Sequence, residues 1–222
     1  QIFHCFGCGA GGSLFDFVMR MDQTSFPESL KLLSEEFNIP IDISSVSSQP
    51  SSDPNQQEKD ILKKSLEFYF QQMQRVDAKD PILKYLESRK ISKMELKAFQ
   101  IGYARDQWED LVSFFKKNEF PVSKGLELGL LSQSEKTGKV FDKLRGRMVF
   151  PIWNSKGDAV GFGARVIPAF EMSGTAKYIN SSDSKIFNKS QILYALHLAL
   201  PKIRQRSQVI VVEGYMDVLR MH

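Results

Sequence analysis

The stretch "RMVFPIWNSKGDAVGFGARVI", residues 147–167, decides how this chain folds. Two runs rich in β-branched and aromatic residues flank "NSKGD", whose Asn, Gly and Asp turn readily. Residues 147–153 and 159–167 therefore read as the arms of a β-hairpin. After it, "ILYALHLALPKI" (192–203) has helical texture. "QVIVVEG" (208–214) follows as a fully apolar strand, the kind that lies central in a parallel or mixed sheet. Before the hairpin, Ile61, Leu62, Leu66, Tyr69, Phe70 and Met73 recur with helical period. Further helices are expected over 81–89, after a capping box formed by Ser92 and Glu95, over 108–117 and over 123–131. The class is α/β or α+β.

The clearest boundary is "SSVSSQPSSDPNQQ", residues 44–57, with six serines, two prolines and Val46 as its one hydrophobic residue. So little apolar surface cannot offset the entropy of ordering, and a flexible tether is expected. The divisions are then 1–43, the tether 44–57, a larger piece 58–206, and a last segment 207–222. In the first piece, Ser13 with Asp16 three residues on marks a helix start, and Leu14, Phe17, Val18 and Met21 share a face of that helix. A second helix opens at Pro27 and turns Leu30, Leu33 and Phe37 inward.

At 42% hydrophobic and 25% charged, the 222 residues have an ordinary globular balance. No apolar run approaches a membrane span, and no signal peptide is expected. Two cysteines are too few for a disulfide framework, so a reducing compartment is expected. Because the chain opens on Gln1 with a strand already under way, both ends are expected to be cuts from something longer. The net charge of +4 hides an asymmetry: residues 136–206 hold 13 Lys/Arg against 4 Asp/Glu. Such a block points to a polyanion, with nucleic acid first in line, or else to a solvated basic face.

Three motifs carry chemistry. Cys5 and Cys8 form a C-x-x-C followed by glycines, a spacing that lets two thiolates meet one metal. It reads as half of a zinc ribbon, as a redox dithiol, or as two plain thiols. Arg145 and Arg147 alternate as if on one strand, and Arg165, Lys177, Tyr178 and Lys189 follow near glycine turns. Together they suggest a phosphate-tracking groove in which Tyr178 stacks on a base; singly, each suits an ordinary solvated face. Glu213 follows the apolar strand, Gly214 permits a sharp exit, and Asp217 comes one helical turn later. Paired carboxylates beside a phosphate path suit two-metal phosphoryl transfer, although Glu213 could simply cap a helix.

In order along the chain, "FHCFGCGAGGSLFDFVM" (3–19), "IGYARDQWEDL" (101–111), "DKLRGRMVFPI" (142–152), "GFGARV" (161–166), "KYINSS" (177–182), "IFNKS" (186–190) and "VVEGYMDV" (211–218) resemble the motifs of bacterial DnaG-type primases. The resemblance implies the end of a zinc-binding domain over 1–43 and a basic α/β subdomain of an RNA polymerase domain over 58–206. A TOPRIM fold would begin at 207–222. It implies synthesis of short RNA primers on single-stranded DNA from ribonucleoside triphosphates, with an RNA–DNA hybrid as product. Structural Zn2+ and catalytic Mg2+ (or Mn2+) are the implied cofactors. The implied setting is the bacterial cytoplasm at the replication fork, as a monomer that meets a replicative helicase through a domain outside this chain. By motif, Cys5 and Cys8 match the second pair of zinc ligands, and the first pair would precede Gln1. Arg89, Arg145, Arg147, Arg165, Lys177, Tyr178, Asn180 and Lys189 match nucleic-acid and nucleotide positions, and Glu213 and Asp217 match catalytic acids, Glu213 as a magnesium ligand. With the later acids expected beyond His222, residues 1–222 alone are expected to bind DNA and make no primers. A non-catalytic single-strand binder and part of a primase–helicase fusion are the alternatives.

Overall fold

The computed structural model describes residues 2–7, 9–22, 24–40, 54–154 and 157–222. Cys8 and most of the expected tether lie outside the described residues. The chain divides into two compact units, Gln1–Pro54 and Asn55–His222.

In the first unit, β1 (Ile2–His4) pairs antiparallel with β2 (Gly11–Ser13). Helix α1 (Leu14–Met21) starts at once because Ser13 and Asp16 cap it reciprocally. The Ser13 N–H donates to Asp16 Oδ2 at 2.7 Å, and the Asp16 N–H donates to Ser13 Oγ at 3.3 Å. Hydrogen bonds from Ser13 hold the Asp16 carboxyl below its usual range. Gly12, at φ +155°, makes room for it, since an added Cβ would stand 2.7 Å from Asp16 Oδ2. Helix α2 (Phe26–Phe37) begins one residue before Pro27 behind a second capping box, Ser25 with Glu28. The apolar faces expected on both helices are only partly covered. Leu14, Phe17, Met21 and Phe37 stay exposed, and among the described residues of the unit only Ser29 and Leu30 are buried. So small a unit has too little volume to enclose two apolar helix faces.

The second unit opens with α3 (Gln56–Gln74), α4 (Pro81–Ser88), α5 (Lys93–Ala98), β3 (Gly102–Ala104), α6 (Asp110–Lys117) and α7 (Val122–Glu127). A small hairpin, β4 (Leu131–Gln133) with β5 (Val140–Asp142), precedes β6 (Arg147–Trp153), β7 (Ala159–Val166) and β8 (Tyr178–Asn180). Helices α8 (Leu196–Arg206) and α9 (Tyr215–Met221) follow. The expected hairpin is present, with β6 antiparallel to β7 from Arg147 opposite Val166 to Trp153 opposite Ala159. The sheet order is β3-β6-β7-β8 and every ladder is antiparallel, which is the α+β form of the expected class. Val149, Phe162 and Ala164 pack on one face against Ile61, Leu62 and Tyr69 of α3 and Phe115 of α6. Met148 and Phe150 pack on the other face with Ile82 of α4, Leu96 of α5 and Leu219 of α9. Among the described residues no helix is long and apolar enough to cross a membrane.

Several expectations are corrected. Residues 208–212 form no strand: no described strand lies beside them to take up their backbone groups, and Val209, Ile210 and Val211 are 59%, 71% and 73% exposed. Arg145 does not share a strand with Arg147, because β6 begins at Arg147 and Arg145 sits in the turn before it. The helix expected over 123–131 stops at Glu127, since Leu131 pairs with Asp142 in the small hairpin.

Candidate functional site

Strands β3, β6, β7 and β8 set Arg165, Tyr178 and Asn180 in rows across one sheet face. Tyr103, Met148, Arg165 and Tyr178 stand opposite one another, and Phe150, Gly163 and Asn180 form the next row. Residues in one row of an antiparallel ladder are neighbours. Arg165 accordingly donates from Nη1 to the Tyr178 hydroxyl. Its guanidinium lies 5.1 Å from the Tyr178 ring centre and 5.7 Å from that of Tyr85 on α4. Arg89, one turn beyond Tyr85, places its own guanidinium 5.5 Å from the same ring. Burial pushes the Tyr85 hydroxyl up, and the charges of Arg165 and Arg89 oppose that shift. Lys177, beside Tyr178, is exposed.

Arg147 does not face an open groove. It is 4% exposed, with Nη2 donating to the Ala176 carbonyl at 2.8 Å and Nη1 to that of Lys177 at 3.4 Å. Burial, then the charge of Arg145, holds its pKa below the usual arginine value. The expectation of a phosphate-facing Arg147 is therefore corrected to a buried strut that fixes the approach to β8. Arg145 leans on Trp108, its guanidinium carbon 3.4 Å from the ring centre, with Nε 3.5 Å from Asp106 Oδ1.

Glu213 is exposed just before Gly214, the N-cap of α9, and Asp217 is exposed in the first turn of that helix. Tyr215 places this acidic loop. Its ring stacks on Phe150 at 4.9 Å and 15°, and meets Tyr194 edge-on at 4.6 Å. Its hydroxyl donates to Asn180 Oδ1 at 2.8 Å. Gly163 leaves the space that the ring fills, because an added Cβ would overlap it. Burial, with a contribution from Tyr178, pushes the Tyr215 hydroxyl up to about 12, so it keeps its proton as a donor at neutral pH. A cleft of about 620 Å³ brings Asn180, Lys189, Glu213 and Tyr215 together, with Lys202 and Arg206 of α8 in its wall. With Oδ1 engaged by Tyr215, Asn180 presents its Nδ2 donors. Sequence reasoning does not single out Tyr215, Tyr85 or Trp108. The four-residue spacing of Tyr85 and Arg89 could have found the first helical pair, whereas nothing local ties Tyr215 to Gly163.

Among the described residues, no three His, Cys, Asp or Glu side chains gather where they could hold a metal ion. Cys5 is exposed at the β1–β2 turn, its N–H donating to the Ala10 carbonyl at 2.7 Å and its own carbonyl accepting from Gly9 at 2.9 Å. A thiol in so tight a turn suits zinc, which takes thiolate ligands in tetrahedral sites. Glu213 and Asp217 offer hard oxygens, which fits magnesium, an ion that keeps several waters and needs only one or two protein carboxylates.

Residues 68–200 match the family model of the DNA primase catalytic core, N-terminal domain, and residues 1–49 match that of the CHC2 zinc finger, so the first unit is of zinc-binding type. The DNA primase of Halalkalibacterium halodurans is 35% identical over 224 residues, which takes in 99% of this chain and 36% of that protein. The chain spans about a third of the length of the curated relatives it matches. The Aquifex aeolicus primase structure, comprising zinc-binding and RNA polymerase domains, matches with a TM-score of 0.66 and 31% identity over 100% of this chain and 51% of that one. A DnaG primase catalytic domain bound to ssDNA matches with a TM-score of 0.66 and 32% identity over 74% of this chain and 51% of that one.

Proposed function

The chain belongs to the DnaG-type family of bacterial DNA primases, and from that premise we propose that in its full-length protein it takes part in DNA-templated synthesis of short RNA primers. The observation that carries this reading is the seat of Tyr215. One ring ties the Glu213–Asp217 loop to Phe150, Gly163 and Asn180, on the strands that also hold Arg165 and Tyr178. Acidic and basic motifs far apart in sequence thereby meet on one sheet face.

The roles divide by charge and access. Arg89, Arg145 and Lys177 attract the phosphates of a single-stranded DNA template, while Arg165, buried at 9% exposure and braced by Tyr178, adds its charge from beneath that face. Lys189 and the Asn180 amide face the cleft beside Glu213 and suit the phosphates of an incoming ribonucleotide. Without those cations, two carboxylates would repel a polyanion; with them, the substrate is drawn to the acids. Glu213, with Asp217 one turn on, would hold Mg2+ or Mn2+, which when bound offsets charge on the transferring phosphoryl group. Cys5 and Cys8 form half of a structural zinc site. The divisions 1–43, 44–57, 58–206 and 207–222 then correspond to a zinc-binding part, a tether, the basic subdomain and the start of a TOPRIM fold. A replicative helicase completes the expected partners.

The test is Glu213→Gln in the full-length protein. Primer synthesis should fall below detection while affinity for single-stranded DNA stays unchanged. Undiminished primer synthesis would refute the reading in favour of a binding module.

A further inference from the structure

Arg165 is buried, yet among the described residues its guanidinium forms no ion pair. The groups around it are neutral: the Tyr178 hydroxyl, which accepts from Nη1, and the rings of Tyr178 and Tyr85. A second cation, Arg89, stands 5.5 Å from the centre of the same Tyr85 ring and likewise forms no ion pair among the described residues. Burial strengthens the repulsion between two like charges, and both are short of a counter-ion. Tyr85 itself is 5% exposed, and its hydroxyl has no hydrogen-bond partner. The charged and polar groups acting on that hydroxyl are Arg165, Arg89 and Tyr178. The guanidiniums can only donate, and the Tyr178 oxygen already accepts from Arg165, so the Tyr85 proton is left without an acceptor. Folded proteins rarely leave a buried donor unspent without a reason. An anion with several acceptor oxygens would meet both cations and the hydroxyl together.

We infer that Tyr85 is a phosphate-binding residue, its hydroxyl donating to an oxygen of a phosphate group that Arg89 receives above the buried charge of Arg165. A phosphate group offers more acceptor oxygens than a carboxylate, which suits three donors that converge from α4 and β7. In this structure the hydroxyl is covered. Arg89, exposed at the C-cap of α4, is the side chain that turns to admit the oxygen. The phosphate belongs to a single strand or to a nucleotide, and the two sources are separable by experiment. This inference rests on the primase reading and deepens it, since that reading supplies both sources.

The experiment compares chain 1–222 with its Tyr85→Phe variant, which keeps the ring and removes only the hydroxyl. Each is titrated calorimetrically with tripolyphosphate and with oligothymidylate, and each is unfolded in urea without either probe. Tyr85→Phe should weaken binding of one probe about 10- to 100-fold, the size of a lost hydrogen bond to a charged group. A loss confined to tripolyphosphate assigns the phosphate to a nucleotide, and a loss confined to oligothymidylate assigns it to a strand. In the absence of probe the variant should be at least as stable as the parent, because it sheds an unspent buried donor. That combination, weaker binding with an equal or higher urea midpoint, is not what a purely structural hydroxyl would give. Unchanged affinity for both probes would overturn the inference, as would a parent chain that binds neither. A lower urea midpoint would also overturn it, since the hydroxyl would then have a partner within the fold. The primase reading is tested apart from this, by Glu213→Gln, which leaves the Tyr85 corner intact.

Discussion

Replacing Gly163 by alanine asks how the acidic loop is held. The new methyl would overlap the Tyr215 ring, so the ring must lift from Phe150 and carry α9 with it. Overpacking of this kind costs about 1–3 kcal/mol. Losing the 2.8 Å bond from Tyr215 to Asn180 adds about 1 kcal/mol. A total near 2–4 kcal/mol should lower Tm by roughly 5–15 °C for a unit of this size. Removing the ring first should abolish most of that cost, because Tyr215→Ala opens the space that the methyl needs. The double variant should therefore be more stable than the sum of the single changes implies, by about 1–3 kcal/mol of coupling. Urea denaturation of the four proteins measures it. Additive costs, within about 0.5 kcal/mol, would refute the contact as the anchor of the loop. In the full-length protein, Tyr215→Ala should also reduce primer synthesis more than affinity for single-stranded DNA.

Other outcomes follow from the same geometry. Asp142 is 5% exposed and accepts N–H groups from Leu111 at 2.7 Å and Val112 at 3.0 Å, yet burial pushes its carboxyl up to about 6. A folded value above the unfolded one means that the fold binds the proton more tightly. The contribution, about 3 kcal/mol at most, is present in full below about pH 4 and lost as pH rises through about 6. Asp142→Asn should remove that slope from denaturation curves taken across this range, and an unchanged slope would sink the assignment. Arg147→Met strips two carbonyls of their donor and should cost about 2–4 kcal/mol in urea, with Arg147→Lys restoring little. A normal melting curve with weakened DNA binding would instead place Arg147 in an open groove. Lys177→Ala, at an exposed position, should reduce affinity for single-stranded DNA severalfold and lower the salt slope by about one phosphate. Tyr178→Phe, which removes only a hydroxyl acceptor, should leave that slope intact in an anisotropy titration.

The hairpin was legible because its information is local: β-rich runs and a turn between them sit within residues 147–167. The Ser13–Asp16 helix start was legible for the same reason. Legibility failed where a residue's state depends on something distant. Arg145 and Arg147 look equivalent in sequence, but one lies in a turn against Trp108 and the other is buried on the carbonyls of Ala176 and Lys177. Residues 208–212 have the composition of a central strand, and composition records readiness to pair without supplying a partner. The candidate site shows the same division. Its charged members stand out in the sequence because charge is visible residue by residue, and motif order groups them. Their rigidity is invisible that way, since it comes from Tyr85 and Tyr178 flanking Arg165 and from Tyr215 seated on Gly163. A carboxylate or guanidinium is useful to a polymerising site only if its position is held more narrowly than solvent would allow. In this protein the residues that do the holding are aromatic, so charge alone points to a polyanion and does not describe how the candidate site is held.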